Sequence, residues 1–161
     1  MKGPIGKPVE LPDALNELSR RIIGCAMAVH RELGYGLLER IYEDALAYEL
    51  TSSGLAVQRQ TPIIVRYRDI EIAGQRIDLL VEGLIVIEVK AVEAVADAHL
   101  AQLVSYIRAG RYPLGLLVNF HTLRLKDSIY RRVNSDALEP RTQHLDSAPS
   151  ALPLRSLRSN S

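Results

Sequence analysis

The sequence predicts an α/β fold: a mixed β-sheet flanked by helices, in the order α, α, β, β, β, α, β, with edge strands to follow. Three observations predict it. Two long segments before Gly54 carry apolar residues at helical spacing. Short runs rich in Val and Ile then succeed one another between Pro62 and Ala91. A helical segment separates the last of these from the apolar run Leu114 to Phe120, which makes a strand–helix–strand crossover.

Asp13 is placed to cap the first helix, which runs to about Leu33. Its face is Leu15, Leu18, Ile22, Cys25, Ala26, Val29 and Leu33. Gly34 stops it, and Gly34-Tyr35-Gly36 reads as a tight connection. A second helix follows from about Leu37 to Thr51, apolar at Leu38, Ile41, Tyr42, Ala45 and Leu46. Pro62 to Arg68 reads as the first strand. Ala73-Gly74 allows a turn or bulge before the second, Gln75 to Val81. Glu82-Gly83 signals a hairpin into the third, Leu84 to Ala91. The third helix spans Ala94 to Ala109 and is closed by Gly110. Leu114 to Phe120 reads as a fully buried strand. Leu123 to Lys126 and Ile129 to Val133 add short edge strands. From Asn134 the chain turns polar, with Pro140, Pro153 and repeated Ser. The expected division is an arm over residues 1–12, a domain over 13–133 and a disordered tail over 134–161.

An apolar content of 47% supports a core, and the lack of Trp with a single Phe makes that core aliphatic. The net charge of +1 excludes a global field that would gather nucleic acid. Its distribution is uneven. Residues 61–102 carry −3 and residues 103–135 carry +5. The basic stretch (Arg108, Arg111, Arg124, Lys126, Arg131, Arg132) suits phosphates, or else is a solvated surface. Cys25 is alone, so no intrachain disulfide forms. No apolar run is long enough to span a bilayer, and Met1 to Pro12 lacks the core of a signal peptide. The expected setting is the cytoplasm.

The chemistry concentrates in Glu88-Val89-Lys90, at the end of the apolar run Leu84-Ile85-Val86-Ile87. Residues i and i+2 of a strand share a face, so Glu88 and Lys90 point the same way. Asp78 lies inside the neighbouring strand. Two carboxylates and a lysine in a sheet interior suggest a divalent-metal site, since buried charges are costly unless paired or metal-bound. A plain Asp78–Lys90 ion pair is the alternative. The metal reading sets a condition on the hairpin: paired residue numbers must sum to an even value. A three-residue loop, Val81-Glu82-Gly83 with Gly83 left-handed, meets it by pairing Leu80 with Leu84 and Asp78 with Val86. Asp78 is then diagonal to Glu88.

These residues carry a resemblance. Gly36-Leu37-Leu38-Glu39-Arg40-Ile41-Tyr42, Gln60, Asp78, Glu88-x-Lys90, Gln102-x-x-x-Tyr106 and Leu117-Val118-Asn119-Phe120 stand in the order found in the GxxExxY protein family, a branch of the PD-(D/E)XK nuclease superfamily. The resemblance implies a restriction-endonuclease-like core and a Mg²⁺-dependent (or Mn²⁺-dependent) nuclease. Asp78, Glu88, the Val89 carbonyl and Glu39 would hold the ion. The alternative for Glu39 is an acceptor for a Tyr or Lys. Lys90 would position the attacking water, or else reach solvent from a strand end. Gln102 and Tyr106 would brace the site, as in the QxxxY motif of RecB-like nucleases; the alternative is a surface Gln and a core Tyr. Glu43 shares the Glu39 face but reads as solvated surface, and His99 as structural. Asn119 is expected to hydrogen-bond a neighbouring loop. The implied partner is nucleic acid, DNA ahead of RNA, with a homodimer to enlarge the recognition surface. The competing class is a catalytically inactive binding or oligomerisation module on the same fold.

Overall fold

The structure, a computed structural model, describes residues 10–138. Helix α1 (Asp13–Leu33) and helix α2 (Glu39–Ser52) precede strands β1 (Val57–Tyr67), β2 (Ile70–Val81) and β3 (Ile85–Lys90). Helix α3 (Asp97–Ala109) then leads to β4 (Leu114–Asn119) and β5 (Ile129–Val133). The sheet order is β1-β2-β3-β4-β5, antiparallel except for the parallel β3–β4 pair that α3 bridges. The mixed sheet flanked by helices is the architecture the sequence predicts. No helix among the described residues is long and apolar enough to cross a membrane.

Two apolar layers cover the two faces of the sheet. On one face Ile22, Ala26, Tyr42, Leu46 and Leu50 from α1 and α2 pack on Leu79, Val81, Ile85, Ile87, Val89, Leu116 and Val118. On the other, Leu103, Tyr106 and Ile107 of α3 pack on Ile63, Ile77, Leu80, Val86 and Leu117. β3 and β4 are buried along almost their whole length, the burial a strand covered on both faces requires.

Several element ends differ from expectation. Asp13 is the first residue of α1, not its cap; Pro12 holds that position and no side chain caps the helix. β1 and β2 pair from Val57 to Val81 as one long ribbon, so the polar stretch Gln58 to Thr61 is strand rather than loop. Pro62 fits because β1 is an edge strand. The ribbon turns at Arg68-Asp69, with Arg68 left-handed (φ 54°), and not at Ala73-Gly74. Gly74 (φ 148°) lies where the register shifts between Ile63 and Val65, so it marks the bulge instead. Leu125–Ser128 is a 3-10 turn, which leaves β5 as the strand added at that edge. Residues 134–138, assigned from sequence to the polar tail, pack on the domain: Asn134 is buried and its amide donates to the carbonyls of Ile107 and Tyr112. The rest of that expected tail and most of the expected arm lie outside the described residues.

One irregularity positions the site. Arg59 pairs with Leu79 and Thr61 with Ile77, so the register is unbroken across Gln60 and Asp78. Yet Leu79 packs on the α1/α2 layer and Ile77 on the α3 layer. Residues two apart in a regular strand share a face. The pleat therefore inverts between them, and Gln60, at φ 50°, absorbs the inversion on β1.

Candidate functional site

The Gly36-x-x-Glu39-x-x-Tyr42 segment is the corner between α1 and α2. Gly34 and Gly36 take positive φ (70° and 101°). The Tyr42 hydroxyl donates to the Gly34 carbonyl (2.8 Å) and accepts the Leu37 N–H (3.2 Å), while its ring stacks on Phe120 at 4.6 Å between centroids. This corner delivers Glu39 as the first residue of α2, with Oε1 3.9 Å from Lys90 Nζ.

The β2–β3 turn comprises Glu82, Gly83 and Leu84, with Glu82 and Gly83 left-handed (φ 53° and 65°). It is pinned from β1, since Glu82 accepts the Ala56 N–H at 2.7 Å and donates its own N–H to the Ala56 carbonyl. The loop has three residues, but starts one later than expected. Leu80 therefore pairs with Val86 and Val81 with Ile85. The parity is the required one, and the register is shifted: continuing past Leu79↔Ile87 puts Asp78 opposite Glu88, not opposite Val86.

Each carboxylate reaches the other strand's backbone. Asp78 Oδ2 accepts the Val89 N–H at 2.9 Å, and Glu88 Oε1 lies 3.4 Å from the Asp78 N–H. Burial and the Asp78 charge push the Glu88 carboxyl up to about 8, against the pull of the Lys90 ammonium and the Asp78 N–H. Burial also raises Asp78; the Val89 N–H and Lys90 oppose this, and Glu43 and Glu39 add to it. Tyr106, buried on α3, is raised by desolvation and then by Glu88 and Asp78, while the Gln102 amide pulls the other way. Asp78 thus feels the acids of α2 on one side, and Tyr106 of α3 feels both carboxylates on the other.

The structure brings Asp78 and Glu88 together, with Lys90 at the same strand end. It does not gather a third carboxylate: among the described residues no group of three His, Cys, Asp or Glu side chains is arranged to hold a metal. Glu39, expected as a metal ligand, meets Lys90 instead, the other role open to it. The Asp78–Lys90 ion pair is not formed. Glu43, expected on a solvated surface, is buried and accepts from Arg59 Nη2 (3.2 Å) and Gln60 Nε2 (2.9 Å). Its spacing of four from Glu39 signalled the shared helix face. Gln60 stood among the motif residues without an assigned role and Arg59 carried no signal, because adjacent strand residues normally point apart and only the left-handed Gln60 lets both reach one carboxylate. His99 Nδ1 accepts the Ala96 N–H at the start of α3 (3.2 Å), a structural role. The Asn119 amide closes on both backbone groups of Val92, the loop contact expected of it.

The donor set suits a hard divalent cation. Mg²⁺ takes few protein carboxylates and keeps several waters. Asp78 and Glu88 are two carboxylates in a desolvated place where burial makes both resist ionising and the Asp78 charge adds to the resistance of Glu88, and a cation would relieve it. A family model described as PD-(D/E)XK nuclease superfamily matches residues 16–133. Neither a curated protein nor a solved structure matches the chain.

Proposed function

The chain belongs to the PD-(D/E)XK nuclease superfamily, and from that premise we propose that it is a metal-dependent nuclease hydrolysing phosphodiester bonds of nucleic acid, DNA in preference to RNA. The motif order supports a finer placement in the GxxExxY branch. The observation that carries the proposal is the Asp78–Glu88 pair. Two desolvated carboxylates sit at opposed register positions beside Lys90.

Asp78, Glu88 and the Val89 carbonyl would hold Mg²⁺ or Mn²⁺. When bound, the ion supplies a nucleophile at neutral pH and neutralises charge on the phosphate. Lys90 directs its ammonium at the attacking water and the charge that builds on the phosphate; a compact ammonium suits both. Glu39 holds Lys90 in that direction from the start of α2. Tyr106 closes the α3 side, its hydroxyl kept protonated by burial and then by the nearby carboxylates, and it would donate to a phosphate oxygen. Gln102 braces Tyr106. The oxygen of water forms a bond to phosphorus, the ester P–O bond breaks, and the leaving oxygen takes a proton.

A binding or oligomerisation module on the same fold is the competing reading, and the lack of a third metal-holding carboxylate among the described residues speaks for it. Calorimetric titration with Mg²⁺ and Mn²⁺ on wild type and Asp78→Ala, beside cleavage assays on single- and double-stranded DNA and RNA, separates the two. Saturable binding lost in Asp78→Ala, with metal-dependent cleavage, is expected. Neither binding at millimolar ion nor cleavage would leave the module reading.

A further inference from the structure

A cleft of about 840 Å³ lies apart from the carboxylate site. It sits between the outer β1–β2 ribbon and the C-terminal end of α3. Ile64, Arg66 and Glu71 line one wall; Arg108 and Arg111 line the other; Asn134 and Asp136 lie at its base. We propose that this cleft carries a nucleic-acid strand away from the carboxylate site by holding its phosphates. The proposal rests on the nuclease reading for its direction, and names the surface that reading leaves undefined.

Four observations support it. First, the cleft lies on the α3-covered side of the sheet, the side on which Tyr106 packs with Val86 and Leu117. Tyr106 senses the Glu88 and Asp78 charges, and Arg111 follows it by five residues. The pleat inversion at Gln60 and Asp78 lays the ribbon over α3, where Ile63 and Ile77 pack on Leu103 and Ile107. Tyr106 and the cleft walls therefore lie on one side of the sheet.

Second, the arginines are uncommitted. Arg108 and Arg111 are exposed and enter no ion pair or side-chain hydrogen bond among the described residues, whereas Arg66 pairs with Glu71 at 3.0 Å. Three guanidinium groups thus line the cleft with two carboxylates, and the surplus sits at the end of α3 and in the turn after it. A planar guanidinium matches a phosphate in bidentate fashion.

Third, the turn that presents Arg111 is built. Arg111 is left-handed at φ 57°, an unusual state for a side-chain-bearing residue. It is held by the Tyr112 N–H on the Ile107 carbonyl and by the Asn134 amide on the carbonyls of Ile107 and Tyr112. A side chain at Gly110 would collide with the Tyr112 ring. Fourth, the ribbon tip adds Arg68 over Tyr67, exposed beyond the cleft. Such a basic and aromatic edge suits sugar-phosphate and base faces together.

The test is fluorescence anisotropy of the full chain with labelled single- and double-stranded oligonucleotides in EDTA, across a salt series. Arg108→Ala/Arg111→Ala should weaken binding at least 10-fold at low salt and lower the slope of log K on log salt by about two. Arg66→Ala tests the opposite wall in the same direction. The control Arg20→Ala/Arg31→Ala, two exposed cations on α1, should bind as wild type, and all variants should melt alike. Wild type that binds no oligonucleotide overturns the proposal, as does an Arg108→Ala/Arg111→Ala chain with the wild-type affinity and slope. So does a poly-glutamate peptide held as tightly through the same arginines, which would assign the cleft to a protein partner. Cleavage with Mg²⁺ is scored separately. Arginine-dependent binding without cleavage would end the nuclease reading and keep the cleft, and cleavage without arginine dependence would do the reverse.

Discussion

Gln60 and Asp78 face one another across the β1–β2 ribbon at the position where both strands change faces. The pairs on either side keep one register, while Ile77 and Leu79 fall in different cores. Gln60 takes φ 50° and gives its amide to Glu43 at 2.9 Å. A strained residue is thus held by a buried carboxylate directly opposite a residue of the candidate site. Strain of this kind persists only where the surroundings over-determine it.

That relationship predicts how Gln60 tolerates change. Gln60→Gly keeps the left-handed backbone at no steric cost and loses one hydrogen bond, so it should cost about 1 kcal/mol. Gln60→Val cannot adopt the conformation easily and should cost about 2 kcal/mol more. Urea melts of the two variants measure the difference. Equal stabilities would mean that the positive φ is not required.

The acid groups predict a pH dependence of the metal-free protein. Glu88 is raised from its ordinary 4.5 to about 8. Between those values the folded state holds a proton that the unfolded state has released. Stability from this group is therefore complete below about pH 4.5 and is lost as pH rises to about 8. At roughly 1.4 kcal/mol per pKa unit the loss is on the order of a few kcal/mol. Asp78, also raised, adds in the same direction. Glu88→Gln should flatten most of this slope in thermal melts taken across the window.

Lys90 and Glu39 should separate by role. The Lys90 charge lowers Glu88, so Lys90→Ala should move the Glu88 titration upward while metal binding persists or strengthens. Cleavage should fall at least 100-fold, the usual scale for losing a donor at developing charge. Glu39→Gln keeps an acceptor near Lys90 and removes one acid from the surroundings of Asp78. Its effect on cleavage should be smaller than that of Lys90→Ala. If Glu39→Gln instead abolishes metal binding in a calorimeter, Glu39 is a ligand after all.

Much of this arrangement was legible in the sequence, and the reasons divide cleanly. Helical spacing in α1 and the apolar runs of β3 and β4 follow from burial, which periodicity records. The parity that lets Asp78 meet Glu88 followed from pleat geometry, although the turn began one residue later than the residues suggested. The β1–β2 ribbon was only half legible, because Gln58 to Thr61 gain strand structure from backbone pairing and not from apolar side chains. The inverted pleat was not legible at all. Nothing in Gln60 announces a left-handed backbone, and the burial of Glu43 depends on it.

Asn134 provides a test of the packed residues beyond β5. Its amide is buried and donates to two carbonyls that close the end of α3. Asn134→Ala leaves both carbonyls without that partner and should cost about 1–3 kcal/mol. Chemical denaturation measures it. A cost near zero would mean that water replaces the amide.

Metal, proton and stability should move together. At pH 7 Glu88, raised to about 8, is largely protonated in the metal-free protein. A bound cation requires the carboxylate. Mg²⁺ binding near pH 7 should therefore release close to one proton, read from the dependence of the calorimetric enthalpy on buffer ionisation. Affinity should rise as pH climbs from 6 to 8. The ion binds only the folded arrangement, so at 100 times Kd it adds about 2.7 kcal/mol, roughly 3 °C in Tm for each kcal/mol. The sign of the pH effect then reverses: rising pH weakens the metal-free protein but strengthens the metal-dependent gain. Glu88→Gln should match or exceed the wild type in Tm without metal, and show neither the gain nor the proton release. A wild type whose Tm is unmoved by millimolar Mg²⁺ and Mn²⁺ at pH 8, where the carboxylate is most available, would show that the Asp78–Glu88 pair does not hold a cation.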